Sequence, residues 1–353
     1  MAGGSGTRLW PMSRAARPKQ LMPMPNGGTL LQTAAARLTG VVPTARQFIC
    51  ASRSYATDIV AAVPGLQHDR FLGEPMGRDT LNAVGFAAAV AAARDPNATL
   101  AVLTSDHVIE PQDVFAHKLD LGFRLVEADP NRLVTFAITP TFPATGYGYV
   151  EQGDAIAGFP GAFAAKRFVE KPDLERATQF IAAGTFGWNS GMFIFHAATV
   201  LGAIDRFQPA CGPGLRRIGA AWGTADAQAV VDEVYPSLTK ISVDYGLMEP
   251  ASRDAGLSIC AVPMPVAWRD VGSWPAYADL LPSDAAGNRA SSEAKHLSST
   301  NVVCISDDPS HLIATIGMER VIVVRTADAT LVCSAGDAER VKELVALLPA
   351  DRR

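Results

Sequence analysis

Three glycines fall within four positions near the start of the chain, Gly3, Gly4 and Gly6, followed by Thr7 and Arg8 and, beyond Trp10-Pro11, by Pro18-Lys19. Such a run does not suit the interior of a helix or strand. It suits a turn in which backbone N–H groups converge and no Cβ keeps a ligand away. Thr7 adds a hydroxyl, and Arg8 and Lys19 add fixed positive charge, so the chemistry offered is phosphate binding. The plainer alternative is an ordinary glycine turn flanked by two solvated cations. Two familiar phosphate loops are excluded by spacing. A dinucleotide fingerprint requires a third glycine three residues after Gly6, where Leu9 stands, and no Gly-Lys-Ser/Thr run completes a Walker A loop.

Asp106 follows the apolar run Leu100-Ala101-Val102-Leu103 and the pair Thr104-Ser105. A carboxylate at a strand's end can hold a divalent cation or cap a helix. Asp270 has an analogous place after a second apolar run, framed by Trp268 and Trp274. The two aspartates could share one hard cation. No histidine spacing favours zinc, so magnesium is the better match. Lys171, between Glu170 and Pro172, reads either as a surface ion pair or as a grip on an anionic substrate, with Glu170 accepting sugar hydroxyls. Asn189-Ser190-Gly191 offers short polar groups and close backbone approach, which suit polyols.

The elements that must position these residues alternate. Helices are expected at 29–38, 55–63, 80–93 and 114–128, and strands at 47–51, 70–72, 99–103 and 133–138, from apolar periodicity and Pro/Gly punctuation. That alternation argues for an α/β fold with a mainly parallel sheet, whose ligands sit beyond the carboxyl ends of strands. The second half is less regular: strands at 146–150, 164–169, 192–195 and 257–263, a helix at 174–182, and an interrupted helical stretch over 209–247. From about Lys295 short β segments follow (302–305, 312–316, 321–324, 329–333), then a helix over 338–348. The expected division is 1–285 and 295–353. One defect stands out: a glycine loop of this kind should follow a hydrophobic strand, and only Met1 and Ala2 precede it.

Composition narrows the function. The chain has 353 residues, 48% of them hydrophobic, enough for a sizeable core. The formal charge is −4, from 31 basic and 35 acidic side chains, and no long basic run concentrates positive charge, which argues against nucleic acid as a partner. Five scattered cysteines form neither a disulfide framework nor a zinc motif. No apolar run approaches the length of a membrane span. The plain expectation is a cytoplasmic protein.

The ordered segments AGGSGTRLWPMSRAARPKQL, GEPMGRDT, TSDHVI, TGYGYVE, FVEKPDL, WNSGMFIF, SVDYGLME and WRDVGSW resemble those of the bacterial mannose-1-phosphate guanylyltransferases, within the sugar-phosphate nucleotidylyltransferases. They cover about residues 2–274, and GMERVIVVRTADATLV resembles that family's C-terminal portion. The resemblance implies a Rossmann-like core of glycosyltransferase-A type and a small C-terminal β-rich module of left-handed β-helical kind that often supports dimerisation. It implies nucleotide binding by Gly3, Gly4, Gly6, Thr7, Arg8 and Lys19, with Arg78, Asp79 and Ser105 in the nucleotide site. Asp106 and Asp270 would coordinate Mg2+, Lys171 would contact the sugar phosphate, and Glu170, Asn189 and Gly148 would line the sugar site. The substrates implied are GTP and mannose 1-phosphate, the assembly a homodimer. Arg8, Lys19, Asp106 and Asp270 would carry catalysis by alignment and charge neutralisation. His107 is given no direct role. Two departures are visible: the missing first strand, and Arg-Asp-Thr where the family more often has Arg-Asn-Thr. Another base or hexose, or a catalytically silent regulatory relative, are the rival readings.

Overall fold

The computed structural model describes every residue of the chain except Ser5 and Asn26. It consists of two compact units. The first comprises Met1–Gly3, Arg37–Thr104 and Ile109–Trp268; the second comprises Gly4–Ala36, Ser105–Val108 and Arg269–Arg353.

The strands of the first half are β1 (Ile49–Ser52), β2 (Phe71–Glu74), β3 (Thr99–Val102), β4 (His107–Glu110), β5 (Arg132–Ile138), β6 (Tyr149–Ala155), β7 (Phe163–Val169), β8 (Phe186–His196) and β9 (Ser258–Pro263). Six of them form the main sheet of the first unit, in the order β3-β8-β5-β9-β7-β6, with β8 also pairing β6. Leucine, phenylalanine and valine alternate across it. Leu133 and Ala137 join a core with Phe193, Phe195 and the helices Asp79–Arg94, Ala197–Phe207 and Gly212–Ala221. Val134, Phe136 and Ile138 face the other way, into a core with Phe115, Leu119 and Leu125 of the helix Gln112–Ala128. This is the period of two that a strand buried on both faces requires.

The expectation of a mainly parallel sheet is corrected. Only β5–β9 is parallel, with Leu133 opposite Ile259; the pairings β3–β8, β5–β8, β6–β7, β6–β8 and β7–β9 are antiparallel. No helix separates β6 from β7, so residues 156–162 reverse the chain and the crossover logic behind parallel pairing does not apply. A separate parallel pair, β1–β2, has Cys50 opposite Leu72. The residues ahead of the glycine loop touch both groups of strands: the Met1 ammonium donates to the Leu103 carbonyl (2.6 Å) and the Ala2 N–H to the Cys50 carbonyl (2.7 Å). The helix Ala197–Phe207 was not expected, and the stretch 209–247 resolves into helices Gly212–Ala221 and Ala227–Val234 followed by a π-turn, Asp244–Met248.

Later strands are β10 (Ala267–Asp270), which pairs with β4, then β11 (Arg289–Ala290), β12 (Ala294–Leu297), β13 (Val303–Ser306), β14 (Ile313–Ile316), β15 (Val321–Thr326) and β16 (Ala329–Ser334). In the second unit, Arg289, Val303 and Ile322 stack in one parallel ladder, and Ala294 and Ile313 in another. Successive rungs therefore repeat a coil, which the irregular spacing in sequence had hidden. The antiparallel pair β15–β16 and the helix Val341–Leu347 close it. The glycine-loop segment belongs to this unit's core: Leu9, Trp10, Met22 and Leu30 pack with Trp274, Ile305, Ile322, Val324 and Leu331. The Trp274 indole N–H donates to the Trp10 carbonyl (2.9 Å), so the large ring is buried with its polar atom satisfied. Among the described residues no helix is long and apolar enough to cross a membrane.

Candidate active site

In the second unit, the loop that begins at Gly4 turns through left-handed backbone, with φ +100° at Gly4 and +60° at Gly6. Gly6 precedes the 3-10 turn Thr7–Leu9, and a Cβ there would stand 2.8 Å from the Lys19 Cβ. Glycine is therefore required twice over, by conformation and by the approach of Lys19. Leu9 anchors the turn and is fully buried, which leaves Thr7 and Arg8 half-exposed. Ser5 lies outside the described residues.

Lys19 Nζ pairs with Asp106 Oδ2, and both side chains are largely covered. His107 is buried, with Nε2 3.8 Å from Asp106 Oδ1. Burial alone would raise the Asp106 pKa; the charges of Lys19 and His107 and the Lys19 hydrogen bond outweigh it and hold the carboxyl at about 2. Asp106 is thus an anion throughout the physiological range. The Val271 N–H donates to the Asp106 carbonyl (3.0 Å), which sets the segment carrying Asp270 beside it. Gly272 is buried next to Arg8: a Cβ there would lie 2.9 Å from Arg8 Nη2 and 3.3 Å from Asp270 Oδ1. Arg8 Nη1 also bonds Glu339 Oε2 (2.7 Å). Ser105 is buried at the head of this group.

The donor set fits a hard divalent cation. Asp106 and Asp270 supply ionisable oxygens on adjacent segments, and no cluster of three or more acids, histidines or cysteines able to hold a metal exists among the described residues. Magnesium suits such a site, because it commonly takes one or two carboxylates and completes its shell with water and substrate phosphate.

A second constellation lies wholly in the first unit. Gly148 has Glu170 and Asn189 against it, and a Cβ there would stand 2.5 Å from Glu170 Oε2 and 3.3 Å from the Asn189 Cβ. The Asn189 N–H donates to the Gly148 carbonyl (2.8 Å). Asn189 Oδ1 accepts from Thr135 Oγ1 (2.9 Å) and from the Gly191 N–H (3.2 Å), and Nδ2 donates to Asp244 Oδ1 (2.8 Å). The oxygen's two acceptor sites are filled, so what Asn189 offers a ligand is its second amide hydrogen. Glu170, its side chain only 6% exposed, pairs with Lys171 at 3.0 Å. Lys171 sits at φ +44°, an uncommon conformation for a residue with a side chain. Burial pulls its pKa down, but Glu170 and Asp244 together hold it above the ordinary value.

Asp244 was not singled out by sequence reasoning, although it lies in the SVDYGLME segment. Burial and the neighbouring Glu170 push its carboxyl up to about 7. The folded pKa lies above the ordinary carboxylate value, so the folded state holds an extra proton between about pH 4 and 7 and loses stability as pH rises through that window. Asp244→Asn is expected to flatten this slope and to unfold at higher urea than the parent at pH 8. Equal unfolding midpoints for the two proteins across pH 5–8 would contradict the assignment.

The residues expected at the nucleotide base stand in the first unit. Arg78 donates to the Pro236 carbonyl, and Asp79 is exposed at φ +66°, with Oδ1 accepting from the Thr80 N–H (2.8 Å) at the start of its helix. Glu74, which sequence reasoning also passed over, is buried at the end of β2 and accepts the Tyr235 hydroxyl (2.5 Å). Its pKa is raised by burial. Its other oxygen faces Gly3, 3.8 Å from where a Cβ would stand.

Comparison with known proteins gives the family. Residues 1–287 match the family described as Nucleotidyl transferase, and residues 294–348 match the MannoseP isomerase/GMP-like beta-helix domain. The chain is 36% identical over 360 residues to a mannose-1-phosphate guanylyltransferase of Escherichia coli, covering all of this chain and 74% of that one. It is 36% identical over 359 residues to the xanthan biosynthesis protein XanB of Xanthomonas campestris, covering all of this chain and 73% of XanB. A crystal structure described as a mannose-1-phosphate geranyltransferase from Thermus thermophilus superimposes with a TM-score of 0.83 at 30% identity, covering 98% of this chain and 99% of that one. The loop, the acids and the cluster of Gly148, Glu170 and Asn189 thus occur in a chain that belongs to the nucleotidyl transferase family, among the sugar-1-phosphate nucleotidylyltransferases of the mannose-1-phosphate guanylyltransferase type.

Proposed function

We propose that this protein transfers GMP from GTP to mannose 1-phosphate, giving GDP-mannose and pyrophosphate. The observation that carries the reading is the grouping in one unit of Gly4, Gly6, Arg8, Lys19 and an ionised Asp106 with Asp270 on the adjoining segment. The catalytic segment is taken as 1–285, the C-terminal module as 295–353.

In the proposed reaction a phosphate oxygen of mannose 1-phosphate attacks the α-phosphorus of GTP and pyrophosphate leaves. The nucleophile is already anionic, so no strong base is needed and rate enhancement comes from alignment and charge neutralisation. Gly3, Gly4, Gly6 and Thr7 present backbone N–H groups to the triphosphate, and Arg8 and Lys19 neutralise it. Asp106 and Asp270 would hold Mg2+, which when bound supplies Lewis-acid neutralisation of the phosphates. Asp106 also orients Lys19. Lys171 meets the sugar phosphate, while Glu170, the free Asn189 amide hydrogen and the open face at Gly148 receive the hexose hydroxyls. Arg78, Asp79 and Ser105 are assigned to the nucleotide, Asp79 as an acceptor for the guanine N1–H and N2–H. The same reading takes the protein as cytoplasmic, and as a homodimer through the module edge where Leu297 and Ile316 stand opposite each other, 62% and 68% exposed.

A panel of GTP, ATP, UTP and dTTP with mannose 1-phosphate and Mg2+ tests it. The expected result is product from GTP well above the others. Turnover with another nucleotide while GTP fails would replace the assignment, and no turnover with any would favour a silent relative.

A further inference from the structure

Arg8 lies on the short turn Thr7–Leu9, and Glu339 on the turn Ala335–Arg340 near the far end of the sequence. Each stands next to a buried anchor: Leu9 and Ala338 occupy one core with Val341 and Val345. The backbone of both turns is therefore fixed by packing. Two further ties secure the same N-terminal segment: the Trp10 indole donates to the Arg352 carbonyl (2.8 Å), and the Arg14 guanidinium binds both oxygens of Asp328 (2.8 and 2.7 Å). Arg340, adjacent to Glu339, is occupied by Asp337 (3.2 Å) and Glu343 (3.4 Å). Glu339 meets Arg8 instead, with Nη1 to Oε2 at 2.7 Å. At the other edge of the same guanidinium, Nη2 comes within 2.9 Å of the point a Gly272 Cβ would occupy, close to Asp270.

We infer that Glu339 is a positioning residue for nucleotidyl transfer: it holds one edge of the Arg8 guanidinium so that the remaining donors are presented to the triphosphate. The inference rests on the function proposed above and assigns to the C-terminal module a part in the chemistry. The guanidinium is a rigid plane with five donors. One carboxylate on one edge fixes the plane and leaves several N–H groups for phosphate. An arginine already held loses less side-chain freedom when it binds than one swinging on an exposed turn.

The sign of the charge effect makes this testable. Removing a negative charge near the triphosphate would by itself strengthen GTP binding. Positioning predicts the opposite. Glu339→Gln is expected to weaken magnesium GTP binding and lower kcat/KM for GTP by about three- to fivefold, the range of a well-oriented exposed pair. The KM for mannose 1-phosphate and the unfolding midpoint stay unchanged, and Glu339→Asp recovers part of the loss. In an Arg8→Ala background, Glu339→Gln no longer weakens magnesium GTP binding measured by titration calorimetry, and the loss of the carboxylate's charge leaves binding equal or slightly tighter. Tighter binding or unchanged kcat/KM in Glu339→Gln, or an equal loss in the Arg8→Ala background, would overturn the inference. A parent protein that binds magnesium GTP but forms no nucleotide sugar would instead overturn the proposed function, and the binding cycle would still decide the coupling of Arg8 to Glu339.

Discussion

Asp106→Asn is expected to lower kcat for GDP-mannose formation by about 10²- to 10³-fold, the cost of removing one preorganised electrostatic group from a phosphoryl-transfer site. The substitution keeps the shape of the side chain and removes its charge. On the proposed reading two functions are lost together: the oxygen that would hold Mg2+, and the anion that orients Lys19. Stability responds in a defined direction. The carboxyl pKa is held at about 2, below the ordinary value, so its stabilising contribution is present above the unfolded pKa and is lost as pH falls toward 2. At pH 7 the variant is therefore somewhat less stable than the parent, whereas at pH 2 the two converge. Steady-state kinetics at saturating GTP and raised Mg2+ provide the check. A variant within tenfold of the parent would remove Asp106 from the metal site.

The second large effect concerns structure. Trp274→Ala is expected to destabilise the protein by about 3–5 kcal/mol, from the cavity left by a fully buried ring. The Trp10 carbonyl loses its donor as well, worth about 1 kcal/mol. Trp274→Phe keeps most of the ring's packing and should cost less than half as much. The glycine loop shares this core through Leu9 and Trp10, so GTP affinity should fall alongside stability. Urea unfolding measures the first effect and calorimetric titration the second. A loss below 1 kcal/mol in Trp274→Ala would mean that the loop is held by something other than this core.

Several parts of this arrangement were legible in the residues. Gly6 announced its left-handed turn, because a glycine-dense run before Thr-Arg has few other uses. Glu170, Lys171, Asn189 and Gly148, scattered over some forty positions, were placed in one group by resemblance, and they do meet in one cluster. Burial of the alternating residues in β5 was visible as an apolar run. Strand direction was not: a run of strands and helices says nothing of where a segment without a helix reverses the sheet, as at residues 156–162. Asp244 was hidden because its significance comes from Glu170, distant in sequence, and from burial, neither of which local pattern encodes. Asp79 drew notice as a departure from the family pattern, and the structure shows it bonding the start of its own helix. The pairing of Arg8 with Glu339 spans nearly the whole chain, and nothing local in either segment points to the other.

The most direct measurement follows oxygen. Mannose 1-phosphate labelled with 18O in its non-bridging phosphate oxygens is incubated with GTP, Mg2+ and the protein, and both products are read by mass spectrometry and 31P NMR. Attack of the sugar phosphate on the α-phosphorus predicts GDP-mannose that keeps every labelled oxygen, one of them bridging its two phosphorus atoms, together with unlabelled pyrophosphate. Label in pyrophosphate, or no GDP-mannose at all, would contradict the account.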